Sequence, residues 1–225
     1  MKQKIKEFLS VKENRVLIYT TVITGIYPLL MIPAKIRLMF SVTEYYSVMI
    51  HYSLVFIFFF IIPAVIVKYA FKEKLTEFGF NFNNVNKGIK FILIVLPVLI
   101  LSLWLSSSQP AFQKEYPLAK IIMKDYKLFI VMEFFYLLYY IGWEFLFRGF
   151  IINGLKRYGL IFGIAFETSI STILHYTKPG GEIILALIAG FILGYYAYKY
   201  RTIWFVVFIH WTVGILMDLF VTLHR

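Results

Sequence analysis

The stretch YYSVMIHYSLVFIFFFIIPAVIV, residues 45–67, decides the fold class of this chain. Its 23 residues include no Asp, Glu, Lys or Arg, and about 20 apolar residues in a helix are enough to cross the hydrocarbon core of a bilayer. Three more uncharged stretches, of 19, 23 and 16 residues, occupy 16–34, 91–113 and 183–198. These four stretches predict membrane-spanning helices.

Three further apolar segments carry only a few charges and lie near residues 128–155, 158–177 and 202–224. Together the seven segments predict an all-α, polytopic integral membrane helical bundle with about seven transmembrane helices, or eight if the long fourth one breaks. The composition agrees, since 60% of the 225 residues are hydrophobic and 16% are charged. Because soluble domains are about half apolar and a quarter charged, a conventional soluble protein and a disordered one are both excluded.

The formal net charge of +11 indicates a membrane-lipid partner and no nucleic acid. Lys and Arg lie in short segments between the apolar runs, without an arginine-rich or RNP-like motif. Most of them fall in the segments on the same side as the N-terminus, which predicts a cytoplasmic N-terminus. No small-residue cleavage pattern follows residues 31–34, so we interpret the first run as a retained helix. The absence of Cys excludes thiol catalysis and Cys-ligated metals.

The chain divides into two parts of different character. Residues 1–127 contain apolar runs in which His51 is the embedded ionisable group, and we interpret this part as N-terminal transmembrane scaffold helices and loops. Residues 128–225 are interpreted as a catalytic-type transmembrane core. Eight ionisable residues lie inside or at the ends of its apolar segments: Glu133, Glu144, Arg148, Glu167, His175, Glu182, His210 and Asp218.

The spacing of these residues predicts a common polar cavity. Ionisable side chains inside a membrane are costly and normally face the bundle interior with a partner. Glu133, Glu144 and Arg148 fall within roughly 60° on one helical face, and residues four apart in the fifth and seventh spans include His175 and His210. Hydrolysis, transport or a buried structural network could each use such a cavity.

Three short motifs in this part resemble those of a known family. They are GWEFLFRG at 142–149, STILH at 171–175 and HWTVG at 210–214. Their order and spacing are similar to the motifs of the CPBP (CAAX-protease and bacteriocin-processing, or Abi) family of intramembrane glutamic endopeptidases, relatives of the type II CAAX prenyl endopeptidase. The resemblance covers about residues 128–224. It implies a hydrolase that cleaves a membrane-associated or lipidated protein or peptide by Glu-activated water, without a metal or other cofactor, in a bacterial-type plasma membrane.

The resemblance also implies roles for individual residues. Glu144 would be the general base or the group that orients the base. Arg148 would be the electrostatic partner of Glu144. His175 would be the second ligand of the water, and His210 would donate to the oxyanion. Glu182 is an alternative base, because the turn at residues 179–181 would leave it near His175.

Three residues depart from the family pattern. The first Glu of the family's Glu-Glu pair is replaced by Trp143, the Phe four residues before the second-motif His by Ser171, and the Asn four residues after the third-motif His by Gly214. A helix rotation or kink near Gly142 could aim Glu144 at the cavity in compensation. Asp218, two turns past the third-motif His, could orient that imidazole in place of the Asn.

Other interpretations stay open at this point. The departures favour a catalytically silent relative that acts as an immunity, scaffold or regulatory membrane protein. A small transporter or proton relay could use the same carboxylates, although no inverted repeat is visible. Glu144 and Arg148 could form a purely structural ion pair. A zinc site from His175, His210 and a carboxylate lacks a His-Glu-x-x-His helix, and we expect no metal.

Overall fold

The computed structural model describes residues 2–225, and within this range the regular structure is helical, with no strand. Three short 3-10 helices, Leu75–Phe78, Lys120–Met123 and Lys156–Tyr158, lie between longer ones. The longer helices are α1 (Lys2–Ser10), α2 (Lys12–Met31), α3 (Pro33–Phe40), α4 (Glu44–Phe71), α5 (Val85–Ser107), α6 (Pro110–Glu115), α7 (Tyr126–Gly154), α8 (Leu160–Leu174), α9 (Gly180–Tyr200) and α10 (Trp204–Leu223). The prediction of an all-α polytopic membrane bundle is confirmed.

Every one of the seven predicted segments is helical, but they do not all have the length of a full span. Five helices, α4, α5, α7, α9 and α10, are long and apolar enough to cross a membrane, and α2 with α3 makes a sixth only if the pair, bent by 59°, counts as one span. α8 has 15 residues and rises about 22 Å. α7 runs unbroken over 29 residues, so the fourth segment does not split into two spans.

A proline causes the bend between α2 and α3. The residue before a proline is sterically disfavoured in the α conformation, and Ile32, which precedes Pro33, has φ −72° and ψ 146°. Proline fits the first turn of a helix, because an N–H at that position would have no partner within the helix. Pro33 can therefore begin α3. The first apolar run is therefore divided at residue 32.

α7 is the central helix of the bundle. It contacts α2, α4, α8, α9 and α10, and every residue of its π-helical segment Phe145–Ile151 is buried. By contrast, α5 contributes few buried residues, and in this helix only Gly88, Leu103 and Ser107 are buried. The division of the chain at residue 127 stays a prediction. Residues from both parts contribute to one hydrophobic core.

Close contacts at glycines hold the central helices together. A Cβ added to Gly142 of α7 would lie 2.9 Å from the carbonyl oxygen of Val55 in α4. A Cβ added to Gly194 of α9 would lie 2.7 Å from Oε1 of Glu167. Small residues let membrane helices approach this closely. The charged residues of α7 and α8 are consequently enclosed by neighbouring backbones.

Candidate active site

Glu144 is the hub of a buried charge network. It is the residue just before the π-helical segment of α7 and has no exposed surface. Nδ1 of His210 hydrogen-bonds to its Oε1, and Nε of Arg148 lies 3.2 Å from its Oε2. Nη1 of Arg148 lies 3.8 Å from Oε2 of Glu167 on α8. The network thus joins α7, α8 and α10.

The network encloses two carboxylates and one guanidinium away from water. Glu144 and Glu167 have 0% exposed surface and Arg148 has 3%. Charges that are removed from water are tolerated only when opposite charges and hydrogen bonds compensate them. Arg148 lies within ion-pair distance of both carboxylates, and the imidazole of His210 supplies the hydrogen bond to Glu144. The wide turns of a π-helix, which occur frequently at functional sites, place Arg148 in this position.

The hydrogen bond to Glu144 fixes the tautomer of His210. An ionised carboxylate accepts and cannot donate, so the proton of a neutral His210 lies on Nδ1. Nε2 is left as the ring nitrogen that can accept a proton. The ring of Tyr140 stacks on the imidazole with 5.4 Å between centroids, which restricts its rotation.

His175 is held in a similar way at the end of α8. Its Nδ1 lies 2.6 Å from the carbonyl oxygen of Ser171, and because a carbonyl only accepts, this nitrogen carries the proton. Nε2 of His175 is again free to accept. The ring of Trp143 packs edge-on against it at 5.5 Å.

A cavity of about 900 Å³ lies next to the network. Its walls are mostly apolar, and its polar residues include Arg148, His175, Glu182 and His210. Glu144 has no surface on it and lies behind His210 and Arg148. Of the five candidate site residues from the sequence, four therefore line this cavity, and Glu144 lies directly behind two of them.

Glu182 is bound by a residue from the loop between α5 and α7. The hydroxyl of Tyr116 lies 2.9 and 2.8 Å from the two carboxylate oxygens of Glu182. Burial, together with the nearby charge of Glu182, raises the pKa of Tyr116 well above 10, so the hydroxyl stays a donor. Nζ of Lys178 lies 2.7 Å from Glu115 and 4.8 Å from the Tyr116 ring centroid. Tyr116 was missed from the sequence, because a loop tyrosine gives no local signal of this contact.

The three departures from the family pattern have structural counterparts. Trp143 packs within an aromatic cluster, 4.8 Å from the Phe147 ring and 5.5 Å from His175. A Cβ on Gly214 would lie 2.4 Å from Cε1 of Tyr136, so this tyrosine occupies the space that an Asn side chain would need. Ser171 supplies the carbonyl that holds His175.

Glu133 and Asp218 do not join the network. The interpretation of Asp218 as the group that orients His210 is wrong, because Nδ1 of His210 is bonded to Glu144. Glu133 shares a helical face with Glu144 but lies eleven residues away, about 16 Å along the axis. Angular position alone did not reveal this separation.

One comparison with known proteins found a match. The family model described as "Type II CAAX prenyl endopeptidase Rce1-like" matches residues 125–216. The match contains all three motifs and all five candidate site residues. The searches of curated proteins and of solved structures gave no match.

Proposed function

From the match of residues 125–216 to the type II CAAX prenyl endopeptidase Rce1-like family, we propose that the protein is an intramembrane endopeptidase that works without a metal. The observation that carries the proposal is the pairing of Glu144 with His210 at the cavity wall. A carboxylate that holds one imidazole nitrogen leaves the other as a general base. Glu144 then acts through His210 as a positioning residue.

The proposed reaction begins with a water between His210 and His175. Nε2 of His210 takes one proton of this water while its oxygen attacks the scissile carbonyl carbon, and Nε2 of His175 accepts a hydrogen bond from the other proton. Glu144 stabilises the imidazolium that forms. Arg148, which lines the cavity, is the positive charge for the developing oxyanion. The proton on His210 passes to the amine nitrogen as the peptide bond breaks.

The surroundings of the cavity support a membrane-anchored substrate. The lining consists mainly of apolar side chains from α5, α7, α9 and α10, such as Leu99, Ile188 and Val213. A lipidated or membrane-associated protein or peptide could place an apolar anchor there and its peptide bond next to His210. We place the protein in a bacterial-type plasma membrane with a cytoplasmic N-terminus, in keeping with the distribution of basic residues.

The test compares the membrane peptides of cells that produce wild type, Glu144→Gln, His210→Ala or His175→Ala at equal levels, by mass spectrometry. A product seen with wild type and lost in the three variants would support the proposal. Glu77→Gln, at an exposed position, is the matched control and should retain the product. Purified protein is then assayed on fluorogenic peptides with and without a farnesylated cysteine, in buffer with 1,10-phenanthroline.

A structural role and a positioning role of Glu144 are separated by kinetics. If Glu144 positions His210, Glu144→Gln should lower kcat by about 10² to 10⁴ and leave KM nearly unchanged. A rise in KM with an unchanged kcat would contradict the proposed role. Inhibition of wild type by 1,10-phenanthroline would contradict the metal-independent mechanism.

The packing of Trp143 favours a second candidate function, that of a catalytically silent relative acting as an immunity, scaffold or regulatory membrane protein. The indole occupies the family's first-Glu position and covers one edge of His175. If this candidate is correct, wild type and His175→Ala give identical peptide profiles. Trp143→Glu would then create cleavage that wild type lacks, whereas in an active peptidase it should only weaken an existing cleavage.

A further inference from the structure

Two acidic residues outside the catalytic network have buried carboxylate oxygens without a hydrogen-bond partner. Glu133 on α7 is 5% exposed and Asp218 on α10 is 3% exposed. Both carboxylate oxygens of Glu133 and Oδ1 of Asp218 are buried without a hydrogen-bond partner. Among residues 2–225, the ion pairs formed within 4.0 Å do not include these two side chains.

The two carboxylates lie on facing turns of neighbouring helices. α7 and α10 contact each other, and Gly214 of α10 packs against Tyr136 of α7. Asp218 is one turn beyond Gly214, and Glu133 is about one turn before Tyr136. Because His210 meets Glu144 while Gly214 meets Tyr136, the helices run antiparallel and these two turns come to the same level. Asp218 is also the charged group that acts on Glu133.

The two lysines whose charges act on Asp218, Lys178 and Lys120, are bonded elsewhere. Nζ of Lys178 lies 2.7 Å from Oε1 of Glu115. Nζ of Lys120 lies 3.2 Å from the carbonyl oxygen of Gln113 and 2.6 Å from that of Tyr116. Two facing carboxylates in a membrane interior repel each other, and each carries a large desolvation cost. A positive charge from outside the chain would remove both costs.

We propose that Glu133 and Asp218 bind one hard divalent cation of the Mg²⁺ class. Carboxylate oxygens are the ligands that Mg²⁺, Ca²⁺ and Mn²⁺ favour, and two carboxylates match a charge of +2. Among the described residues, no third His, Asp or Glu joins them as a ligand. Water would therefore complete the shell, which is typical of Mg²⁺ held by one or two carboxylates.

The large cavity extends close to this site. Tyr136, Gly214 and Met217 line the cavity and lie on the turns that carry Glu133 and Asp218. The site is separate from the His210 and His175 imidazoles, so its occupancy can be measured without a cleavage assay. A bound ion would join α7 to α10 about 12 to 16 Å along the helices from the peptidase centre.

The test measures thermal unfolding of the full-length protein in detergent, with EDTA or with added MgCl₂ or MnCl₂. The wild-type midpoint should rise with either salt, and Mn²⁺ bound by the protein should be visible by electron paramagnetic resonance. Glu133→Gln and Asp218→Asn should lose both responses. Glu77→Gln, exposed and distant in sequence, should keep both, as should Asp218→Glu, which retains two carboxylates.

The ordering of the midpoints separates cation binding from a plain structural role. In EDTA, Glu133→Gln should unfold no earlier than wild type, because it removes the repulsion, whereas in saturating Mg²⁺ it should unfold earlier. The same order in both conditions would overturn the proposal. So would a wild-type response that persists in both neutral variants, or a wild-type midpoint that depends on pH but not on the cations, which would indicate a shared proton.

Discussion

Glu144 and Glu133 lie on the same helix, both almost without exposed surface, and yet their surroundings are opposite. Glu144 has Arg148 at 3.2 Å and a hydrogen bond from His210. Glu133 faces another carboxylate and has no hydrogen-bond partner for either oxygen. The comparison shows that burial of a carboxylate does not by itself define its role. The charge of its neighbours does.

Depth in the bundle accounts for the difference. Glu133 lies two turns from the start of α7, while Glu144 adjoins the fully buried π-helical segment. The two side chains lie about 16 Å apart along the helix axis and share no hydrogen bond or ion pair with each other. We treat the two clusters as separate electrostatic units, and four substitutions test this separation.

Removal of Arg148 should have the largest effect. Arg148→Ala leaves Glu144 and Glu167 buried without their shared cation, and breaking such a pair costs about 3–5 kcal/mol of unfolding free energy. Thermal unfolding in detergent should show a midpoint well below that of wild type. Arg157→Ala, at an exposed position, should change stability by less than about 0.5 kcal/mol. Equal midpoints for the two variants would mean that the network does not stabilise the fold.

A methyl group between the two clusters should disturb both. In Gly214→Ala the new Cβ would lie 2.4 Å from Cε1 of Tyr136, and overpacking of this kind costs about 1–3 kcal/mol. The same unfolding assay would measure it. Gly25→Ala on α2 is the matched control, since its Cβ meets nothing within 4 Å, and alanine in a helix should stabilise it by up to about 1 kcal/mol. Effects of the same sign in both variants would contradict this interpretation.

The loss of one hydroxyl should release Glu182. Tyr116→Phe removes the donor that binds both oxygens of Glu182, at a cost of about 1.5 kcal/mol for a hydrogen bond to a charged group. Thermal unfolding in detergent at one pH between about 6 and 8, where burial keeps the pKa of the Tyr116 hydroxyl well above the pH, would measure the difference. Tyr126→Phe, at an exposed site, should be neutral. Equal stability of Tyr116→Phe and wild type would show that this hydrogen bond does not stabilise the fold.

The smallest change in unfolding free energy is expected for Glu133→Gln. This variant allows a direct comparison of the two clusters. Glu133→Gln and Glu144→Gln are the same chemical change on one helix. In EDTA the first should shift the unfolding free energy by less than about 1 kcal/mol, because it removes a repulsion. The second should cost more than that, because it removes a counter-charge of Arg148. Equal decreases in unfolding free energy for the two variants would contradict the proposed difference between the two clusters.

Much of the fold could be predicted from the sequence. Uncharged runs long enough to cross a bilayer specify helices almost without ambiguity, and each predicted segment is helical. The four-residue spacing of Glu144 and Arg148 predicted their ion pair, which the structure contains. The bend at Ile32 could also be predicted from the sequence, because Pro33 interrupts the first apolar run.

Other features depend on contacts that sequence periodicity does not report. Helical angle places Glu133 and Glu144 on one face, but the partner at each depth comes from α10. Asp218 was assigned to His210 on spacing alone, whereas Glu144, from another helix, takes that position. Tyr116 reaches Glu182 across 66 positions of chain. Such pairings arise from tertiary packing and have no local pattern.

The shortness of α8 has a consequence for the lipid. Its 15 residues rise about 22 Å, whereas the hydrocarbon layer is about 30 Å thick. Where α8 spans the bilayer, local thinning that draws the nearby headgroups inward would be one way to relieve a mismatch of this size. His175 directly follows α8, so headgroup water would reach its imidazole without a channel across the membrane. Bilayer thickness would then control the supply of a reactant, and acyl-chain length would become a rate variable for this protein.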